Sequence, residues 1–508
     1  MSRLKRSSAT LAAIVWGGVA MAQAPLSAID WLSETPSVTV APDLPPVSEG
    51  ANVPEISVTA LDAPRVDAVG LLPEPVTGLP ATLWRHSTTA ALTGYLEGLP
   101  ERPLPALQAL YYALLLAEAE PPPDTGPDAR LLNARLAALR RFGAVEPALA
   151  LVERAGGATP ALFDAWFDLA LLDGDEAAAC AALAKTPRLS RDMRARIYCL
   201  ARAGDWETAA LILHGAETTG ALDEADAILL ALFLEPELID EIDPPAQPDP
   251  VTPLRFRLHE AIGAPLGTRD LPRAFAMADL RGTAGWKAEI EAAERLAETG
   301  AVAGARLLGL YTARKRAASG GVWERVAAIQ ALDAALDASD AEALASALPK
   351  AWAAAREVRL EVVLADLFAE RLLAAPIATA TRPLASEIVA LSALYERATD
   401  ILPPSTPRQR LLAAVASGTP QADDAETPLE TAIVDAFASV EPAPEHRTLF
   451  DSSRLGEAIL AAATQLDAAA LRAAPSATRA ALSTLRAVGL EDTARRAALQ
   501  MLLLGPAR

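Results

Sequence analysis

Two cysteines, four histidines and an aromatic share of 5% leave this 508-residue chain poor in the side chains that most chemistry needs. His86, His214, His259 and His446 are scattered, so metal ligation and general-base catalysis have little raw material, and no metal is expected. His259-Glu260 opens like a zinc-protease helix, but the position of the second histidine is Gly263. There is no Gly-Lys-Ser/Thr phosphate loop and no dinucleotide fingerprint, so no cofactor is expected and no catalytic residue is assigned. Ala317-Ala318-Ser319-Gly320-Gly321 approaches a nucleophile elbow, but Ala313-Arg314-Lys315-Arg316 before it is no strand. Cations are few as well: 45 Lys+Arg face 65 Asp+Glu, a formal charge of −20. Phosphate backbones and anionic lipid surfaces repel such a chain, so nucleic acid is not an expected partner. Alternating β-branched runs are missing, which argues against a sheet.

Alanine is abundant, at about 115 residues, and hydrophobic residues make up 52%. Alanine is the best helix former and lets helices approach closely, so the composition predicts an all-α fold. The length allows roughly two to four domains.

Residues 1–22 combine a basic start (Arg3, Lys5, Arg6), an apolar stretch over 9–20 and the small-x-small end Ala20-Met21-Ala22. This pattern predicts a secretory signal peptide cut after Ala22. Removing its three cations would take the charge from −20 to −23. The apolar stretch is shorter than the ~20 residues of a spanning helix. Later in the chain the best apolar run, 225–234, is bracketed by Asp223, Glu224, Asp226 and Glu235, so no integral membrane segment is expected after cleavage. A periplasmic location follows as the expectation. In an oxidising compartment Cys180 and Cys199, close in sequence, are expected to form a disulfide.

Proline recurs too often between residues 23 and 80 for a helix, so this stretch reads as an extended arm. Within it Ile29, Trp31 and Leu32 form an apolar island, a docking motif either for a partner or for the protein's own body, and a second island, 56–72, is expected to lie as an extended strand against the folded part. Pro-rich breaks at 243–253 and 402–428 divide the remainder into helical domains at 81–242, 254–401 and 428–508, the last a small bundle. Helix starts are marked by Thr427-Pro428-Leu429-Glu430 and by Ser339-Asp340-Ala341-Glu342, both read as capping boxes.

The first helical piece carries an internal repeat. Aligned on Gly143, Gly174 and Gly204, the columns Leu132/Phe163/Met193, Leu136/Phe167/Ile197 and Leu139/Ala170/Leu200 are apolar before the turn, and Ala148/Ala179/Ala209 and Val152/Leu183/Leu213 after it. These spacings describe a helical hairpin that buries its faces only by stacking on its neighbours, hence an α-solenoid. Gly174-Asp175 with Ala179, and Gly204-Asp205 with Ala209, resemble the inter-helix turn of tetratricopeptide repeats, over about residues 128–216. The period of 30–31 is shorter than that family's 34, and Phe167 and Ile197 stand where a small residue is usual.

Three consecutive cations, Arg314, Lys315 and Arg316, stand out in an acidic chain, with Tyr311 and Trp323 beside them around a Gly-rich turn. Donors, a helix start and aromatic faces make these five residues the candidate contact for an anionic or glycan ligand. The leading expectation is a non-enzymatic scaffold or adaptor in the periplasm that binds a protein or an envelope polymer. The alternative is a peptidoglycan-directed enzyme or accessory factor, by analogy with the helical superhelix of soluble lytic transglycosylases.

Overall fold

A computed structural model describes residues 65–316 and 318–505; the signal-peptide residues and Ile29, Trp31 and Leu32 lie outside them. The described chain is all-α, without a strand, and no helix in it is long and apolar enough to cross a membrane.

The predicted hairpins are present in the predicted register. Arg130–Arg141 pairs with Val145–Arg154, Phe163–Asp173 with Ala177–Lys185, and Met193–Arg202 with Trp206–Thr219. Each first helix ends at one of the aligned glycines, with φ of 83° at Gly143, 99° at Gly174 and 85° at Gly204, a left-handed conformation that glycine adopts without a Cβ clash. Ala148, Ala179 and Ala209 are fully buried, where a larger residue would force the paired helices apart. Phe163, Phe167 and Leu183 are buried together, and the Phe163 and Phe167 rings stack with centroids 5.9 Å apart.

The repeat runs further than its glycines. First helices begin at Arg130, Phe163, Met193, Glu224 and Pro253, 29 to 33 residues apart. The fourth turns at Glu235-Pro236 and is followed by a 3-10 turn, Pro236–Asp240, in place of a second helix. A left-handed glycine returns at Gly263, before a 3-10 segment at Arg273–Leu280.

Rather than continuing outward, the chain then folds back. Pro253–Ala261 packs against Phe163–Asp173, and Arg273–Leu280 against both Phe163–Asp173 and Arg130–Arg141. The turns are built to accept this: a Cβ on Gly143 would lie 2.6 Å from the Leu296 side chain, and one on Gly174 2.7 Å from that of Arg281. Glu176, at the second turn, is buried; it accepts a 2.7 Å hydrogen bond from the Tyr198 hydroxyl and pairs with Arg202 and Arg257. The first helices of the first two hairpins are thus packed against the protein's own later segments.

Three boundaries are corrected. Asp62–Arg508 form one compact unit, so the Pro-rich breaks are loops within it rather than domain linkers. One core joins residues of 81–242 with residues of 428–508, and a second occupies Trp286 to Ile401. The folded body also starts before residue 81. Arg135, 1% exposed, donates to the carbonyls of Val69 (2.7 Å), Leu115 (2.7 Å) and Ala117 (3.0 Å), while the Asp67 carboxylate accepts from the Leu132 N–H at 2.7 Å. Burial brings the Arg135 guanidinium down to about 10, with Asp67 opposing that shift. A buried guanidinium is tolerable when carbonyls take its donors, and here they fix residues 67–69 to the helices behind.

The capping box at Thr427 forms as expected: its hydroxyl accepts from the Glu430 N–H at 3.3 Å, and the Glu430 carboxylate accepts from the Thr427 N–H at 2.9 Å. At the other predicted box the cap moves one residue on. Ser339 is left-handed, and Asp340 Oδ1 accepts from the N–H groups of both Glu342 and Ala343.

A candidate ligand-binding cavity

The first four N–H groups of a helix have no partner within it. At Pro105–Leu116 the residue before the helix, Leu104, has no side chain able to cap, and the missing acceptors come from the far end of the chain. Asp467 Oδ1, on Leu455–Arg472, accepts from the Leu104 N–H at 2.8 Å, and Gln500 Oε1, on Glu491–Leu504, accepts from the Ala106 N–H at 2.9 Å. Asp467 Oδ2 accepts from the Tyr111 hydroxyl at 2.7 Å. Gly456 completes the junction, its missing side chain giving room to the Trp84 ring. Pro105–Leu116 is thereby locked to Leu455–Arg472 and Glu491–Leu504.

Between them and the middle of the chain lies a cavity of about 480 Å³. Residues 102–105 line one side, residues 353–362 with Glu298 a second, and residues 467–471 with Leu504 and Gly505 a third. A smaller cavity of about 220 Å³, reaching Arg408 and Glu430, shares Ala470 and Gly505 with it. Glu298 pairs with Arg273 at 2.7 Å, Arg102 at 3.4 Å and Arg359 at 4.0 Å, tying the two sides together. Burial raises the proton affinity of Glu361, and it carries that of Asp467 up to about 6, the effect of its two hydrogen bonds notwithstanding. Arg359 holds φ at +57°, a strained conformation for a residue with a Cβ, at the cavity edge.

The residues singled out from sequence fall elsewhere. Cys180 and Cys199 form the expected disulfide, with Cα atoms 5.0 Å apart, joining the second helix of one hairpin to the first helix of the next. The five-residue contact around residue 316 comes apart. Tyr311 is buried, its hydroxyl donating to Glu294 at 2.7 Å, and Arg325 clamps the same carboxylate at 2.8 and 2.6 Å. Burial and the Glu294 charge drive the Tyr311 hydroxyl far above its usual range. Trp323 is half-buried against Trp286, with ring centroids 5.0 Å apart. Arg314, Lys315 and Arg316 are exposed and have no ion-pair partner among the described residues. The aromatics face inward and the cations outward, so Tyr311 is corrected from ligand contact to core residue.

Sequence reasoning missed the cavity residues Arg102, Glu298, Arg356, Arg359, Glu361, Asp467 and Leu471. They come from three distant segments and share no local spacing. One signal was available: Leu104-Pro105 starts a helix with no capping side chain, which asks for an acceptor from outside. No group of His, Cys, Asp and Glu among the described residues is placed to hold a metal. No family model, curated protein or solved structure matches the chain.

Proposed function

We propose that the chain is an exported, non-enzymatic helical-repeat protein that acts as a binding scaffold in the periplasm or cell envelope, with the 480 Å³ cavity as its binding face. The observation that carries this reading is the convergence of three distant segments on one cavity, two of whose carboxylates, Asp467 and Glu298, are engaged internally. Both oxygens of Asp467 accept hydrogen bonds, and Glu298 serves three arginines. Groups held in this way build a wall rather than transfer protons. A volume of this size falls among ligand pockets, about 300–1,000 Å³. The signal-like N-terminus and the disulfide support export. Three hairpins spaced 30–33 residues apart and turning at left-handed glycines support the tetratricopeptide-like reading.

The peptidoglycan-directed alternative draws on Asp467 and Glu361, two carboxylates of raised proton affinity on one cavity. It is the weaker reading, because both Asp467 oxygens already accept a hydrogen bond from the protein itself.

Fractionation and in-cell photo-crosslinking test the proposal together. The mature protein should be recovered from the periplasm beginning at Gln23. A photo-reactive residue at Leu471, on the cavity wall, should give adducts that one at the still more exposed Leu211 does not. An intact Met1 terminus in membranes would refute export, and equal labelling at both positions would refute the cavity as the binding face.

A further inference from the structure

The charges of the cavity differ in what they are free to do. Two of its acids are committed, Asp467 to an amide and a hydroxyl and Glu298 chiefly to Arg273 at 2.7 Å, while Glu361, half-buried and outside any ion pair among the described residues, feels the charges of Arg356 and Arg359. Its arginines are not so committed. Arg102, 57% exposed, and Arg359, 39% exposed, hold Glu298 only at 3.4 and 4.0 Å. Arg356 is exposed and has no ion-pair partner among the described residues. Glu357 is the one well-exposed acid on this wall, and it leans toward Arg325 at 3.9 Å. With Asp467 and Glu298 engaged, three arginines face Glu357 and the half-buried Glu361, so the exposed charge is cationic by a margin of one inside a protein whose net charge is −20. The remaining lining is aliphatic, with Leu104, Val362, Ala470, Leu471 and Leu504, and no aromatic stands among the described lining residues. Leu471 is 54% exposed, a large apolar side chain left in solvent. Without aromatic faces the cavity has no platform for a sugar ring or a nucleobase. Guanidinium groups beside an aliphatic wall match a carboxylate or phosphate head on a hydrocarbon body.

We propose that the cavity binds an anionic amphiphile, its head on Arg356 with Arg359 and Arg102, and its aliphatic body over Leu104, Val362 and Leu471. This rests on the cavity's being the binding face and goes further by naming the class of ligand. The head group could belong to a free fatty acid or to a phosphorylated lipid, and two probes separate these sources.

Calorimetric titration of the full chain with dodecanoate and with dodecyl phosphate, both below their micellar concentrations, tests the inference. One molecule per chain should bind. Inorganic phosphate, which lacks the body, and octyl glucoside, which lacks the charge, should each bind at least roughly tenfold more weakly. Tighter binding of dodecanoate assigns the head as a carboxylate, and tighter binding of dodecyl phosphate assigns it as a phosphate. Arg356→Gln and Leu471→Asp alter exposed side chains, so circular dichroism should stay unchanged while affinity falls by roughly tenfold or more. Binding unmoved by Arg356→Gln, equal affinity for octyl glucoside, or no binding of either anion would overturn the proposal. If neither anion binds while Leu471 still crosslinks in cells, the ligand class falls and the binding face stands; if Leu471 does not crosslink either, both fall.

Discussion

Tyr111 donates its hydroxyl to Asp467 at 2.7 Å across 356 residues of sequence, and the same carboxylate caps the helix on which Tyr111 sits. A negative charge at a helix N-terminus is favourable, but burying it is not, and burial is the larger influence on Asp467.

The carboxyl of Asp467 stands at about 6 in the folded protein, above its ordinary value of 3.8. Between those limits the folded chain binds more protons than the unfolded one, so this residue's contribution to stability is largest below about pH 4 and declines as pH rises through 6. Burial holds His259 and His446 below their ordinary value, which acts in the opposite sense, costing stability as pH falls below 6.5. The two effects separate in a difference measurement. Asp467→Asn keeps an acceptor for the Leu104 N–H and should remove the Asp467 component, leaving the variant more stable than wild type at pH 7.5 by about 1–3 kcal/mol and losing that advantage by pH 4. Urea unfolding of both proteins at several pH values provides the check; parallel pH profiles would rule the assignment out.

Gly456→Ala should weaken the same junction by steric means. The new methyl would lie 2.3 Å from the Trp84 ring and 2.8 Å from the Leu83 carbonyl oxygen. Although alanine is the better helix former, overpacking should lower stability by about 1–3 kcal/mol. A thermal midpoint equal to or above that of wild type would show that Trp84 is not held against this helix.

Hairpin register was legible in sequence because Gly143, Gly174 and Gly204 must be left-handed and the apolar columns around them repeat with the helix period. The fourth and fifth units escaped notice because Glu235-Pro236 replaces the turn glycine and 3-10 segments replace the second helices. Of residues 65–80, assigned to the arm, the docking of the island ending at Leu72 was legible as apolar pattern, whereas the carbonyls that Arg135 gathers carry no sequence signature. The cavity was invisible for the same reason. Its members, from Arg102 to Leu471, meet only once the chain closes on itself. Arg314, Lys315 and Arg316 drew notice because they are contiguous, while the arginines of the cavity are not.

The disulfide gives a chemical check on the hairpin stack. Cys180 and Cys199 are 19 residues apart, and in the chain-entropy model a loop of that size stabilises by about 3 kcal/mol. Denatured protein should take up an alkylating reagent only after reduction, and the reduced form should unfold at lower urea. Labelling of both cysteines without reduction would exclude the bond.

Arg359 is expected to separate stability from binding. Glycine at this left-handed position relieves backbone strain, and the 4.0 Å contact with Glu298 is loose and partly exposed. Arg359→Gly should therefore leave the thermal midpoint unchanged or raise it, by up to about 1 kcal/mol in stability, while weakening dodecanoate binding. A clear loss of stability would make Arg359 a structural residue instead.

Hydrogen exchange along the full chain, with and without saturating dodecanoate, tests the binding role of the cavity most directly. The account predicts that segments 102–106, 353–362 and 467–471 gain protection together, although they are separated by hundreds of residues, and that Trp206–Thr219 does not change. Protection confined to one of the three segments, or appearing at Trp206–Thr219 in their place, would contradict it.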